Sequence, residues 1–291
     1  MPAATPLRPD TLLHIYYLAG TIPAGRLPSG SHYLGNWEED DFSFLFFTSP
    51  ADEEVRAVAA GSDGCRLIDV YQMSYQQWQG GEITPLRVGR FLLNPPWISA
   101  AAEAGEIAIT LDSGVVFGNG AHPTTQACLE AMAIACAGKT PDTVLDLGCG
   151  TGVLALAAAK LGCRRVLAVD NNFLAARTAW NNVRLNRLDE QILVINGRAE
   201  EQTAIAADLL IANIHFDIMR QLVATEGFLH QKWFILSGLL SSQAEQIIAT
   251  LHRLPVLILK EWHGDGIWHT ILGITRESPL KSPNPAAGGQ P

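Results

Sequence analysis

Residues 144–152 read Val-Leu-Asp-Leu-Gly-Cys-Gly-Thr-Gly, and the next apolar run, Arg165–Val169, is followed by Asp170. An apolar run that breaks into alternating glycines predicts a strand turning sharply into a helix. Glycine is needed there because the backbone must approach a ligand with no Cβ in the way. The helix expected to follow, from Val153 to Leu161, presents unpaired N–H groups at its start. Asp170 stands 22 residues after Gly148. At the end of the second strand its carboxylate is placed to take both hydroxyls of a ribose. The unit is therefore expected to bind a nucleoside.

The glycine spacing narrows the choice of nucleoside. The dinucleotide fingerprint has its third glycine five residues after the first. Here that position is Val153, and the third glycine is Gly152. The G-x-G-x-G spacing resembles the motif of S-adenosylmethionine-dependent methyltransferases with the doubly wound fold. That resemblance implies S-adenosylmethionine as cofactor and S-adenosylhomocysteine as product, with NAD disfavoured.

Composition sets outer limits. The chain has 291 residues, 48% of them hydrophobic and 17% charged, which fits a globular protein of one large or two modest domains. Its formal net charge of −9 argues against an extended nucleic-acid interface. No apolar run reaches membrane-spanning length, and no basic region precedes an apolar core at the N-terminus. No membrane association and a cytoplasmic location are expected. The five cysteines form no C-x-x-C pair and no metal spacing, as in reduced cytoplasmic proteins. Cys149, inside the glycine turn, is read as a small residue filling it.

Residues 1–95 alternate short apolar runs (Leu12–Leu18, Phe42–Thr48, Arg66–Met73) with Gly, Pro and acidic stretches. They are expected to form a small α+β substrate-recognition region and linker, with a short helix at Asp52–Ala60. Residues 96–277 are expected to form the cofactor domain. Its predicted elements are a strand at Ile107–Leu111, a helix at Thr124–Cys136, strands at Thr143–Leu147, Arg165–Val169, Ile192–Ile195, Leu209–Ala212 and Trp233–Leu236, and helices at Leu174–Leu185, Asp217–His230 and Ser242–Leu251. Pro255–Glu261 and Ile267–Ile274 flank Gly264-Asp-Gly266, a hairpin signal. The fold class is α/β, a doubly wound Rossmann-like sheet with an antiparallel edge hairpin. The tail at 278–291, rich in Pro, Ser, Gly and Ala, is expected to be disordered.

Further blocks surround the glycine turn. They are Trp78 with Pro85-Leu-Arg-Val-Gly89 and Pro95-Pro-Trp97, then Phe117-Gly-Asn-Gly-Ala-His-Pro-Thr-Thr125, then Ala212-Asn-Ile214, then Leu236-Ser-Gly-Leu-Leu240. In this order they resemble the PrmA family, methyltransferases that modify a large-subunit ribosomal protein. The resemblance covers roughly residues 75–275. It implies cofactor contacts at Thr125, Gly148, Asp170 and Asn213, to which the glycine turn adds Gly150 and Gly152. It also implies a protein substrate, with a large-subunit ribosomal protein as leading candidate and lysine or N-terminal amines as acceptors. Asn119 replaces the threonine of the family's F-G-T-G, and Ile214-His-Phe-Asp217 replaces its usual Ile-Leu-Ala-Gly. The first 70 residues show no clear match to the family's recognition domain.

Asn213 and His215 are the candidate catalytic residues, since they stand where a strand ends, the usual place for chemistry in an open α/β sheet. Two other readings compete with a protein methyltransferase. A nucleic-acid base methyltransferase would carry Asn-Pro-Pro-aromatic at that strand end. Here Asn94-Pro-Pro-Trp97 lies far upstream, and Asn213-Ile-His215 lacks both prolines. A catalytically silent cofactor-binding protein is the other reading. His122 is read as a hydrogen-bonding loop residue, Trp262 and Trp268 as packing or sheet-edge residues, and His263 and His269 as flanking a turn, with no metal expected.

Overall fold

The computed structural model describes residues 6–276, so the expected disordered tail lies outside the described residues. Residues 12–74 form a four-stranded antiparallel sheet and one helix. The elements are β1 (Leu12–Ala19), β2 (Tyr33–Glu39), β3 (Phe42–Phe47), α1 (Asp52–Ala60) and β4 (Arg66–Ser74), with strand order β2-β3-β1-β4. The sequence pattern missed β2, in which Gly35 and Asn36 interrupt the alternation of apolar and polar residues. A tight turn at Asp40 and Asp41, both at positive φ (45° and 64°), returns the chain into β3.

Side chains alternate across this sheet. Tyr16, Leu18, Leu45 and Phe47 meet Val55 and Val58 of α1 on one face. The Tyr16 hydroxyl accepts from Ala51 N at 2.7 Å, pinning the start of α1. Leu13, Ile15 and Phe46 point to the other face and pack with Val115, Val116, Leu174 and Ala175. The sheet is thus layered between its own helix and the rest of the protein.

Ser74 and Gln77 make a capping box for the short helix α2 (Tyr75–Trp78). Then β5 (Leu86–Val88), β6 (Phe91–Asn94) and β7 (Ile107–Thr110) form a three-stranded sheet, β6 and β7 running parallel. This sheet straddles the boundary expected at residue 95, and Val88, Phe91, Leu93 and Ile109 share a core with the helices that follow.

Those helices and strands are α3 (Pro123–Ala135), β8 (Thr143–Leu147), α4 (Val153–Lys160), β9 (Arg165–Asp170), α5 (Phe173–Leu185), β10 (Ile192–Asn196), β11 (Leu209–Asn213), α6 (Phe216–Val223), β12 (Trp233–Leu240), α7 (Ser241–Leu251), β13 (Val256–Gly264) and β14 (Trp268–Thr275). The strands order as β10-β9-β8-β11-β12-β14-β13, with β14 antiparallel to both neighbours. This is the expected doubly wound sheet with its edge hairpin. Along β8, Val144 faces the α3–α4 layer while Leu145 and Leu147 face α6 and α7, so both sides of the sheet are covered. The helix expected over Asp217–His230 stops at Val223. Thr225 then caps a separate 3-10 turn, Glu226–His230, by accepting from Phe228 N at 3.3 Å. Among the described residues no helix is long and apolar enough to cross a membrane.

Candidate active site

Strand order reverses at β8, which has β9 on one side and β11 on the other. Ligands of open α/β sheets bind in the crevice that opens there, beyond the carboxyl ends of the strands. In this protein a cleft of about 1100 Å³ occupies that place. Gly148, Gly150, Asp170, Asn213 and His215 line it, five of the seven residues expected in the site.

The glycine turn is held from several sides. Gly148 and Cys149 donate to Val169 O at 2.8 and 3.0 Å, and Gly152 donates to Cys149 O at 2.8 Å. Gly148 and Gly150 sit at φ +70° and +54°. A Cβ on Gly150 would stand 2.8 Å from the Phe117 carbonyl oxygen, and one on Gly148 would stand 2.2 Å from Ile214 Cγ2. A side chain at either position would collide with the cleft's own walls. Burial holds the Cys149 thiol well above its ordinary pKa, in agreement with a packing role.

Asp170 caps this arrangement. Its Oδ2 accepts from Gly150 N and its Oδ1 from Asn172 N, both at 2.9 Å, which fixes the carboxylate plane at the end of β9. Each carboxylate oxygen retains a further lone pair for a ligand hydroxyl. Asp170 is buried, and burial raises its pKa, an effect that the two backbone donors oppose. The tight glycine turn and a fixed two-oxygen acceptor fit the nucleoside end of S-adenosylmethionine. Asp146, in β8 just ahead of the glycine turn, is fully buried. Its Oδ2 accepts from Ala155 N at 3.0 Å while its Oδ1 has no hydrogen-bond partner.

Two expected residues stand elsewhere. Thr125 is buried in α3 and is not part of the cleft lining; its neighbour Thr124 is. Gly152 lies behind the turn, where a Cβ would meet Ala179 Cβ at 3.0 Å, so its role is close packing of α4 against α5. Thr124 Oγ1 takes a hydrogen bond from Asn213 Nδ2 at 3.2 Å and lies 2.7 Å from His122 Nδ1. His122 Nδ1 also accepts from Thr124 N at 3.3 Å, capping α3. That leaves the imidazole proton on Nε2 and makes His122 a structural residue. Its ring packs edge-on against Phe117 and Trp268.

Aromatic residues also line the cleft: Trp37, Phe44 and Phe46 of the N-terminal sheet, and Trp78 at the end of α2. None of these was expected in the site, although Trp78 belongs to the first motif block. Trp268 also lines the cleft while its ring packs against His122. Asn119 links the two halves by donating to Gln79 Oε1 at 3.2 Å and accepting from Ala121 N at 3.0 Å. Asn182 of α5 stitches the connecting segment in place, exchanging two 2.8 Å bonds with the Asp112 backbone and donating to Thr151 O. Asn94, of the upstream Asn-Pro-Pro-Trp, uses its amide on the Ala100 backbone and stands outside the cleft lining.

Comparison with known proteins agrees with this geometry. The model of the family described as ribosomal protein L11 methyltransferase (PrmA) matches residues 65–276. The chain is 35% identical over 222 residues to the ribosomal protein L11 methyltransferase of Lacticaseibacillus paracasei, a match covering 75% of this chain and 69% of that protein. With its counterpart from Heliobacterium modesticaldum identity is 36% over 196 residues, covering 65% of this chain and 60% of that one. The chain thus spans between about three fifths and seven tenths of these relatives' length. A crystal structure of ribosomal protein L11 methylase from Lactobacillus delbrueckii subsp. bulgaricus superposes with a TM-score of 0.60 at 27% identity, covering 67% of this chain and all of that one. By fold, motif order and these matches, the chain is a class I methyltransferase and belongs to the PrmA family.

Proposed function

We propose that the protein moves the methyl group of S-adenosylmethionine onto an amine nitrogen of a protein, with a large-subunit ribosomal protein as first candidate. The relatives named above support the candidate, and a ribosomal acceptor puts the reaction in the cytoplasm. The observation that carries the reading is that Asp170, Asn213 and an aromatic wall face one cleft. When bound, the cofactor supplies an electrophilic methyl group on a sulfonium for direct displacement by an acceptor lone pair. Asp170 and the backbone at Gly148 and Gly150 would hold its nucleoside end.

The chain's own task at the acceptor is positioning, which supplies much of the rate in such a displacement. Because Asn213 donates to Thr124, its Oδ1 is turned toward the segment at Gly238, where a Cβ would stand 3.1 Å away. That oxygen is suited to accept a hydrogen from an amine and to aim the nitrogen lone pair. A lysine acceptor must first lose its proton, at a cost of roughly 4.6 kcal/mol at pH 7 from a pKa near 10.4. The aromatic wall of Trp37, Phe46 and Trp78 would desolvate the amine and lower that cost. His215 is exposed at the rim as the N-cap residue of α6, and we assign it to acceptor contact rather than proton transfer.

The test is transfer of labelled methyl from S-adenosylmethionine to purified ribosomal protein and, separately, to ribosomal RNA. Label in the protein, with a rate that rises with pH as more amine becomes neutral, is expected. Label in RNA alone would assign the enzyme to base methylation. No label in either, with the cofactor bound, would make it a silent binder.

A further inference from the structure

The edge hairpin carries a second constellation. β13 and β14 are joined by a tight turn with Asp265 and Gly266 at φ 49° and 69°, which puts His263 directly opposite His269. Their rings stand 4.4 Å apart at 80°. Glu261 lies two residues before His263 and so shares its face of the strand. One ring nitrogen of each histidine and one carboxylate oxygen of Glu261 lie within 4.8 Å of one another.

His269 is the decisive member. Its Nε2 is 3.1 Å from Ser241 Oγ at the start of α7, while its Nδ1 is buried with no hydrogen-bond partner. A buried imidazole nitrogen without a partner is rare and calls for an explanation. Ligating histidines typically donate their second ring N–H to an orienting group, and Ser241 stands in that position.

We propose that Glu261, His263 and His269 form a binding site for one divalent transition-metal ion of zinc type. Two imidazoles and a carboxylate match zinc, nickel or copper and not magnesium or calcium, which favour all-oxygen sets. Tetrahedral zinc needs ligand atoms roughly 3.3–3.5 Å apart, given bonds of about 2.0–2.2 Å. The three groups must therefore draw in by about 1 Å. Rotamer changes at Glu261 and His263, both exposed, supply that movement. Water completes the shell on the open side. The site adjoins the cleft through chain connectivity, since Trp268 of its wall precedes His269 and a Cβ on Gly264 would meet Pro123 Cβ at 2.8 Å. A bound ion would fasten the hairpin on which that wall stands.

The experiment uses untagged full-length protein, stripped with a chelator and dialysed, then titrated with zinc in competition with a chromophoric chelator. One zinc per chain is expected, undisturbed by excess magnesium. His263→Gln and Glu261→Gln, both at exposed positions, should each weaken binding at least tenfold. A Cys136→Ser/Cys163→Ser variant, which removes two thiols that lie side by side and outside the proposed ligand set, should bind as the parent does. Ring nitrogen resonances of His263 and His269 should shift on addition of zinc, a readout that needs no variant. No stoichiometric binding, binding unchanged in both exposed variants, or shifts confined to other histidines would each overturn the proposal.

Discussion

Asn213 Nδ2 donates to Thr124 Oγ1 across 3.2 Å, tying the end of β11 to the first turn of α3 over 89 residues of chain. Thr124 in turn meets His122 Nδ1 at 2.7 Å. The chain of bonds fixes which way the Asn213 amide faces, so under the proposed function Thr124 would act on the acceptor through Asn213. Thr124→Val keeps the shape and removes the hydroxyl. One hydrogen bond contributes about 0.5–1.5 kcal/mol, so kcat should fall roughly two- to twelvefold while cofactor affinity stays within about twofold. Thr124→Ser should restore most of the rate. A loss shared equally by kcat and cofactor binding would show that Thr124 serves only the fold.

Asp170→Ala should weaken S-adenosylmethionine binding by about 1–3 kcal/mol, or roughly fivefold to 150-fold. It removes two acceptors for the ligand and leaves the Gly150 and Asn172 N–H groups unpaired. Asp170→Asn keeps one oxygen and should lose less. Isothermal titration on variants with native circular dichroism measures the effect. An unchanged dissociation constant in both would remove Asp170 from the site.

Gly150→Ala tests the turn itself. The new Cβ would lie 2.8 Å from a backbone oxygen, that of Phe117, at a φ of +54°. A backbone neighbour cannot rotate aside, and the left-handed conformation adds strain on the order of 1–3 kcal/mol. Cofactor binding should be lost before the fold is, because the residue at fault borders the cleft. Gly266→Ala is the control, since a Cβ there meets nothing within 4 Å although φ is +69°. It should leave cofactor binding intact.

The sequence revealed the site where local chemistry dictates geometry, and obscured it where tertiary packing does. Glycines at 148 and 150 and the acid at 170 announce a strand-turn-helix-strand unit because the turn leaves no room for a Cβ and a carboxylate at a strand end suits a ribose. Thr124 and Thr125 are adjacent on a helix, and only the orientation of α3 against β11 decides which one meets Asn213. The aromatic wall was hidden for a related reason. Trp37 and Phe46 lie in the β2–β3 hairpin, whose own pairing is local, but nothing local shows that their face of the sheet turns toward the cleft. The Ser241–His269 contact likewise joins two elements that share no motif.

Asp146 gives a pH signature. Burial pushes its carboxyl up to about 7, and the nearby Asp170 charge adds to the effect. In the unfolded chain the group ionises near pH 4. Between those values the native state holds a proton that the unfolded state has released, so this group's contribution to stability falls as pH rises from about 4 to about 7 and levels off above. Asp146→Asn lacks the titrating group. The stability difference, variant minus parent, should therefore grow in the variant's favour across that window. Urea unfolding of cofactor-free protein at several pH values measures it. Parallel pH profiles for the two proteins would show that Asp146 is ionised in the native state throughout.

The division of labour between the N-terminal sheet and the cofactor domain is best tested at Trp78. A truncation beginning near Glu106 would strip β6 from its parallel partner β7 and expose Ile109, confounding recognition with folding. Trp78 is 37% exposed, packs edge-on against Phe46 at 5.0 Å, and lines the cleft. An aromatic residue in that position can anchor a protein acceptor, and truncation of such anchors typically costs about 2 kcal/mol or more. Trp78→Ala should raise KM for the protein acceptor roughly thirtyfold or more, while the cofactor dissociation constant stays within about twofold. Cofactor binding should be spared because Trp78 belongs to α2, an element separate from the glycine turn and from the β9 end that carries Asp170. The reverse pattern, weaker cofactor binding with KM for the acceptor unchanged, would place Trp78 at the cofactor end and leave acceptor recognition to some other surface.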